Sequence, residues 1–270
     1  MNRPPSRPIS AGVGLVCAAA LLIAAPAHAG RNCEARPPDA QRVQQAMELA
    51  ERTARALDAS GADVVVLARA GQDLSKYNLR WSHLGLAYRE RQGASTRWRV
   101  VHKLNQCGSA RADLFRQGLG EFFLDDLHEY RAAVAVLTPE VQATLKPLLT
   151  DNRRIGQLHM AAYSMLAYPW AQQYQQSNQW ALETIAMAQD SSAHTRQGAQ
   201  GWLKAKGYEP TVLRLSPLTR LGARVTTANI AFDDHPNDKR YAGRIETVTV
   251  DSVFDWLERA RLAGAVKVID

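Results

Sequence analysis

The sequence predicts an α+β fold: a single domain on a central antiparallel sheet, with helices packed mainly on one face. Three observations carry this. Strand-like and helix-like segments come in batches rather than in strict alternation, which argues against a doubly wound parallel sheet. Two strand-like runs, 81–88 and 98–104, flank a polar loop that carries Gly93, the pattern of a hairpin with a longer loop. The chain has 270 residues, 46% hydrophobic and 22% charged, so it can bury a core and is neither disordered nor a channel.

The elements follow in order. Arg3 and Arg7, the apolar stretch Ala11 to Ala25 and the small-residue triplet Ala27-His28-Ala29 read as a secretory signal peptide over residues 1–29. Pro26 and His28 interrupt the stretch too early for a membrane span, and Gly30-Arg31-Asn32-Cys33 is no lipoprotein signature. Export to the periplasm or the medium follows, with no transmembrane segment left after cleavage. Residues 30–39 form a Pro-rich arm, and 40–270 the domain. Val43, Ala46, Met47, Ala50 and Ala54 recur at helical spacing over 40–58, and Gly61 stops that helix. Val64 to Ala68 is a buried strand. The hairpin follows, then a strand over Ala132 to Leu137. Thr138-Pro139-Glu140 starts a helix that runs to about Leu149. Residues 160–175 are aromatic and irregular around Pro169. Ser177-Asn178 supplies cap chemistry for a helix through Ala188. Arg196 to Lys206 is a further helix. Strands are expected over Val225 to Phe232 and Arg244 to Val250, and Asp251-Ser252 caps a last helix through Leu262.

Charge and cysteine use narrow the classes. The net charge of +7 falls to +5 without Arg3 and Arg7, and the arginines are scattered, so a nucleic-acid stripe is not expected. Cys17 leaves with the signal. Cys33 and Cys107 then form an even pair in an oxidising compartment, and a Cys33–Cys107 disulfide is expected, with a reactive Cys107 thiol as the alternative. No phosphate-binding glycine loop, Gly-x-Ser-x-Gly or His-Glu-x-x-His occurs. No cofactor is called for. Phe232-Asp233-Asp234-His235 is the one metal-like cluster, and without a matching ligand spacing no metal site is expected.

The candidate catalytic residues are polar groups at strand and helix ends. His83, in Ser82-His83-Leu84-Gly85, suits a general base whose neighbouring glycine lets another backbone approach. His102 and Asn105 on the next strand point to opposite faces, so one of them can orient His83. Ser177 at a helix start would gain from the backbone amides and dipole there. The aromatic region, with Tyr168, Trp170 and Trp180, reads as core or as a groove, and Asp73 and Asn178 complete a candidate groove.

These segments together, with Trp98 to Asn105, Tyr168-Pro169-Trp170, Tyr174 to Glu183 and Asp234-His235-Pro236, resemble an uncharacterised family of exported bacterial proteins, domain of unknown function 2145. More distantly, the order of strand, Gly-x-Asp turn, His-x-Gly strand, further strand and late polar helix start resembles the circularly permuted NlpC-type, papain-like hydrolases. That resemblance implies a papain-like arrangement with His83 as base, His102 or Asn105 as orienter and the nucleophile near Ser177, where the family carries Cys. The expected function is a cell-envelope hydrolase of an amide, ester or thioester, with Ser177 in place of Cys. The alternative is an inactive module that binds a peptide, glycan or acyl ligand. A monomer is expected.

Overall fold

The computed structural model describes residues 39–93 and 95–270. The signal segment 1–29, most of the arm and Cys33 lie outside the described residues, as does any disulfide to Cys33. Helix α1 (Ala40–Ala59) opens on Asp39, whose carboxylate accepts the Gln41 N–H at 3.1 Å. It buries Ala46, Leu49, Ala50, Thr53 and Leu57. The buried stripe is rotated from the expected one, and Met47 faces outward.

Strand β1 (Val64–Ala70) is buried at every residue because it lies inside the sheet with both faces covered. Strands β2 (His83–Gln92) and β3 (Ser95–Asn105) form the expected hairpin, with Gly93 at φ +60° in the turn. Strand β4 (Ala112–Gly118) then pairs with β3 and leads into the short α2 (Leu119–Phe123). Strand β5 (Glu129–Val136) returns beside β1. Thr138 caps α3 (Pro139–Thr150), as its Thr-Pro start predicts, and the one-turn α4 (Asn152–Ile155) follows. After an irregular stretch come α5 (Ser177–Gln189) and α6 (Arg196–Ala205). Strand β6 (Thr211–Arg214), α7 (Pro217–Thr226), α8 (Asn237–Tyr241), β7 (Arg244–Thr247), α9 (Val250–Arg259) and β8 (Lys267–Ile269) complete the chain.

The main sheet has the order β4-β3-β2-β1-β5-β8, with every neighbouring pair antiparallel. Strands β6 and β7 form a separate ribbon. One face of the sheet, including Val64, Val66, Leu84 and Leu86, packs on Leu145, Trp180, Ile185, Leu203 and Trp256 from α3, α5, α6 and α9. The other, including Val65, Leu67, Ala87 and Val100, packs on α1 and α2 through Leu49, Leu57, Phe122 and Phe123. The α+β class holds, with most of the helices on one face.

Three expectations need correction. Val225 to Phe232 is not a strand. Ser216 accepts the Thr219 N–H at 3.2 Å and Pro217 stands at the first helical position, so α7 occupies the start of that range. The β-branched residues there misled the reading, because capping sets the local conformation. The cap of α9 is Thr249, whose Oγ1 accepts the Ser252 N–H at 3.1 Å, rather than Asp251-Ser252. Likewise Gln176 is the capping position of α5, and Ser177 is its first helical residue.

Candidate functional site

Gly85 brings the two expected histidines together. A Cβ at Gly85 would lie 2.5 Å from Val100 Cγ1 and 3.2 Å from His102 Cβ, so only glycine admits β3 this close. His83 Nε2 lies 2.9 Å from His102 Nδ1, and His102 Nε2 lies 2.8 Å from Gln117 Oε1. The acceptor on Gln117 requires N–H at His102 Nε2. His102 Nδ1 therefore accepts, His83 donates from Nε2, and the basic lone pair of His83 is on Nδ1. His102 has no exposed surface. Burial first, and then the positive charge of Arg69, push its pKa down to about 4, against the opposing bond to Gln117, so the ring is neutral at neutral pH. Phe122 of α2 packs on both rings, with centroids 6.0 Å from His83 and 5.2 Å from His102. The guanidinium of Arg69 sits over the same Phe122 ring and pairs with Asp125.

Of His102 and Asn105, it is His102 whose ring meets His83. Asn105 points to the other side of β3, donates to the Ser109 and Arg111 carbonyls, and accepts from Asn229 at 2.8 Å.

His83 and Ser177 line one cavity of about 830 Å³, together with Asp73, Asn105, Cys107 and Asn178. Ser177 and Tyr163 are both almost wholly buried, and burial raises the Tyr163 pKa, with the nearby Ser177 hydroxyl opposing the shift. Asn178 accepts the Leu84 N–H at 3.2 Å and donates to the Val248 carbonyl at 3.4 Å. It thereby ties the start of α5 to the start of β2, one residue from His83. The cavity lining also has an apolar section with Leu213, Leu215 and Ile230. Asp73 accepts the Ser75 N–H, which with the Ser75 hydroxyl holds its carboxyl below the usual range.

The aromatic part of the expected groove is elsewhere. Trp180 is wholly buried in the core, because its helix face packs under the sheet. Trp170 stacks edge-on with Tyr208 at 6.0 Å, with Lys204 over its ring. Tyr168 packs on His235 at 5.1 Å. His235 and Asp234 form a buried pair at 2.9 Å, and Asp234 also accepts the Tyr168 N–H. This cluster anchors the turn to the β6–β7 ribbon. Among the described residues no group of three or more His, Cys, Asp or Glu is placed to hold a metal.

Beneath Ser177 lies a polar network that the sequence reading missed. Glu183 of α5, fully buried, pairs with Arg196 at 2.9 Å and accepts from Gln175, Gln179 and Gln200. Arg196 donates onward to the carbonyls of Ala171, Gln172 and Tyr174. Lys103, also buried, donates to Gln175 Oε1 and the Met160 carbonyl. Its pKa is pushed down to about 7 by burial, with Arg196 adding to the shift. The network fastens the irregular segment before Ser177 to the helix that Ser177 begins. The available signal was Gln179 and Glu183 four residues apart on an otherwise apolar helix.

Among the described residues no helix is long and apolar enough to cross a membrane. No curated protein and no solved structure matches the chain. A family model described as an uncharacterized protein conserved in bacteria does match, over residues 56–257, which span β1 through most of α9 and include every member of the histidine relay. The chain therefore belongs to the DUF2145 family of bacterial proteins.

Proposed function

We propose that this chain is an exported cell-envelope hydrolase acting on an amide, ester or thioester, with Ser177 as nucleophile and His83 as base. The observation that carries the reading is the His83–His102–Gln117 relay on the wall of a cavity that Ser177 shares. A neutral, buried His102 aligns His83 and fixes its tautomer, as a base requires. Ser177 Oγ would attack the carbonyl and pass its proton to His83 Nδ1. The tetrahedral oxyanion would meet the N–H groups of the first turn of α5. His83 would then protonate the leaving group, and water would release the acyl group from Ser177. Export would allow the Cys33–Cys107 disulfide, to be checked by thiol counts before and after reduction. The protein would work as a monomer, with no nucleic acid.

A second reading, a module that binds its ligand without turnover, is favoured by two observations. The Ser177 side chain is almost wholly buried beside Tyr163. The histidine pair packs with Phe122 on the α2 face of the sheet, whereas α5 covers the other.

A fluorophosphonate probe separates the readings without knowledge of the substrate. Hydrolase chemistry predicts covalent labelling of Ser177, seen by peptide mass spectrometry and abolished in a folded His83→Ala variant. Failure of the folded wild-type protein to label would overturn it in favour of binding.

A further inference from the structure

The cavity that His83 and Ser177 share has a section that the proposed chemistry does not use. Tyr77, Leu79, Leu166, Leu213, Leu215 and Ile230 all line it, and the same six pack together in one apolar cluster with Phe232 and Ile245. Tyr77, Leu79, Leu166 and Ile230 are only half-buried, so the cluster keeps an open side. The charged side chains of the lining, Arg69, Asp73, Lys76, Glu121 and Asp125, come from residues 69–76 and 121–125 instead.

The β6–β7 ribbon gives this section a direction. Thr211 opposes Thr247 and Leu213 opposes Ile245, so strand alternation puts these four on one face of the ribbon. Leu215 continues that face, because its N–H donates to the Gly243 carbonyl at 2.9 Å, beyond the last pair. At the other end Thr247 Oγ1 accepts from the side-chain amide of Gln176, the residue before Ser177, at 2.7 Å. The same hydroxyl donates to the Ala167 carbonyl, next to Leu166. The apolar section therefore starts beside Ser177 and runs along the ribbon away from it. Thr211 to Leu215 covers about 13 Å of strand, the span of an extended alkyl chain of about ten carbons.

From this continuity we propose, resting on the reading of this cavity as the functional site, that it takes a single medium-length fatty-acyl chain, presented as an ester or thioester. The carbonyl would lie at Ser177 and the alkyl tail along Leu213 and Leu215. A peptide brings an N–H and a C=O with every residue, and a glycan brings hydroxyls on every ring, all costly to bury unmet. The six side chains of the section offer one polar atom, the Tyr77 hydroxyl. An alkyl chain needs no partner and gains from each methylene that leaves water. In turnover Ser177 Oγ would bond to the acyl carbon while the alcohol or thiol leaves with the proton held by His83. Water would then break that bond, its hydroxyl completing the fatty acid and its proton returning to Ser177.

The test varies chain length. Calorimetric titration of wild type and of Ser177→Ala with butyrate, hexanoate, octanoate and decanoate measures binding apart from turnover. The carboxylate is common to the series, so the slope reports the tail alone. Affinity should rise about fourfold with each added methylene, up to about ten carbons. Wild type is also offered the same chains as p-nitrophenyl esters and as N-acetylcysteamine thioesters. Whichever class is cleaved with kcat/KM rising along the series supports the proposal and identifies the source of the chain. Leu79→Gln and Ile230→Gln, each at a half-buried position and checked for folding by circular dichroism, should flatten the slopes; the wild-type series stands without them. A binding slope with no cleavage and no fluorophosphonate labelling would support the acyl chain and overturn the hydrolase. Cleavage of the butyrate ester with no gain from longer chains would do the reverse. Affinity that is flat or absent across the series, or slopes unchanged in both folded variants, would overturn the proposal.

Discussion

Replacement of Gly85 by alanine tests the close approach of β2 and β3 on which the histidine relay depends. The added methyl would sit 2.5 Å from Val100 Cγ1, about 1 Å inside ordinary carbon–carbon contact. Val100 is fully buried, and its β-branched side chain has little rotamer freedom with which to yield. Overpacking of this kind costs about 1–3 kcal/mol. The lost flexibility of the unfolded chain returns about 0.4–1 kcal/mol. The net cost is then about 1–2 kcal/mol, or a fall in Tm of about 2–8 °C for a domain of this size. Differential scanning calorimetry measures it, and Val100→Ala supplies the control. If the clash is with Val100 Cγ1, the double variant should be more stable than the sum of the two single changes predicts, by about 1 kcal/mol or more. A Gly85→Ala protein as stable as wild type, or strict additivity in the cycle, would refute the reasoning.

Stability should rise with pH between about 4 and 6.5. His102 is neutral in the folded protein down to about 4, so in this window the unfolded chain binds the extra proton. The contribution is complete above 6.5 and lost below 4, and His102→Gln should flatten that part of a urea midpoint–pH curve. Glu183→Gln removes the carboxylate that faces the buried Arg196 guanidinium and should cost about 3–5 kcal/mol, seen as a lower urea midpoint. Asn178→Ala leaves the Leu84 N–H and the Val248 carbonyl without their partner and should cost about 1–3 kcal/mol, with faster amide exchange at Leu84. A change within error in either variant would mean that these bonds do not hold the wall of the cavity.

The parts of the fold legible in the sequence were those with local signals. The hairpin, the Thr138-Pro139 helix start and the buried run of β1 needed only neighbours in the chain. The histidine pair was legible because the spacing of a hairpin sets which residues face one another, and Gly85 marked the contact. Gln117 was not legible, because β4 lacks a clear alternation and pairs with β3 across the 106–111 turn. Without that strand, nothing chose between His102 and Asn105. Strands β6 and β8 were missed for the same reason: each is three or four residues long and exists through its partner. The Tyr168, Trp170 and Trp180 groove failed for a different reason. Aromatic spacing on a chain does not say whether a ring faces solvent, and Trp180 sits on a helix buried on nearly all sides.

Strand β8 pairs only Lys267, Val268 and Ile269 with β5, and Asp270 clasps Arg131 beyond them. Those few residues stand between the hydrogen-bonding row of β5 and any other chain. Were they displaced, by a fused tag that competes for the edge or by cleavage before Lys267, the protein would offer an open, apolar strand edge at Ala132-Ala133-Val134, the kind of edge that recruits a copy of itself. Handling of the purified protein at high concentration thus rests on a clasp at the margin of the sheet.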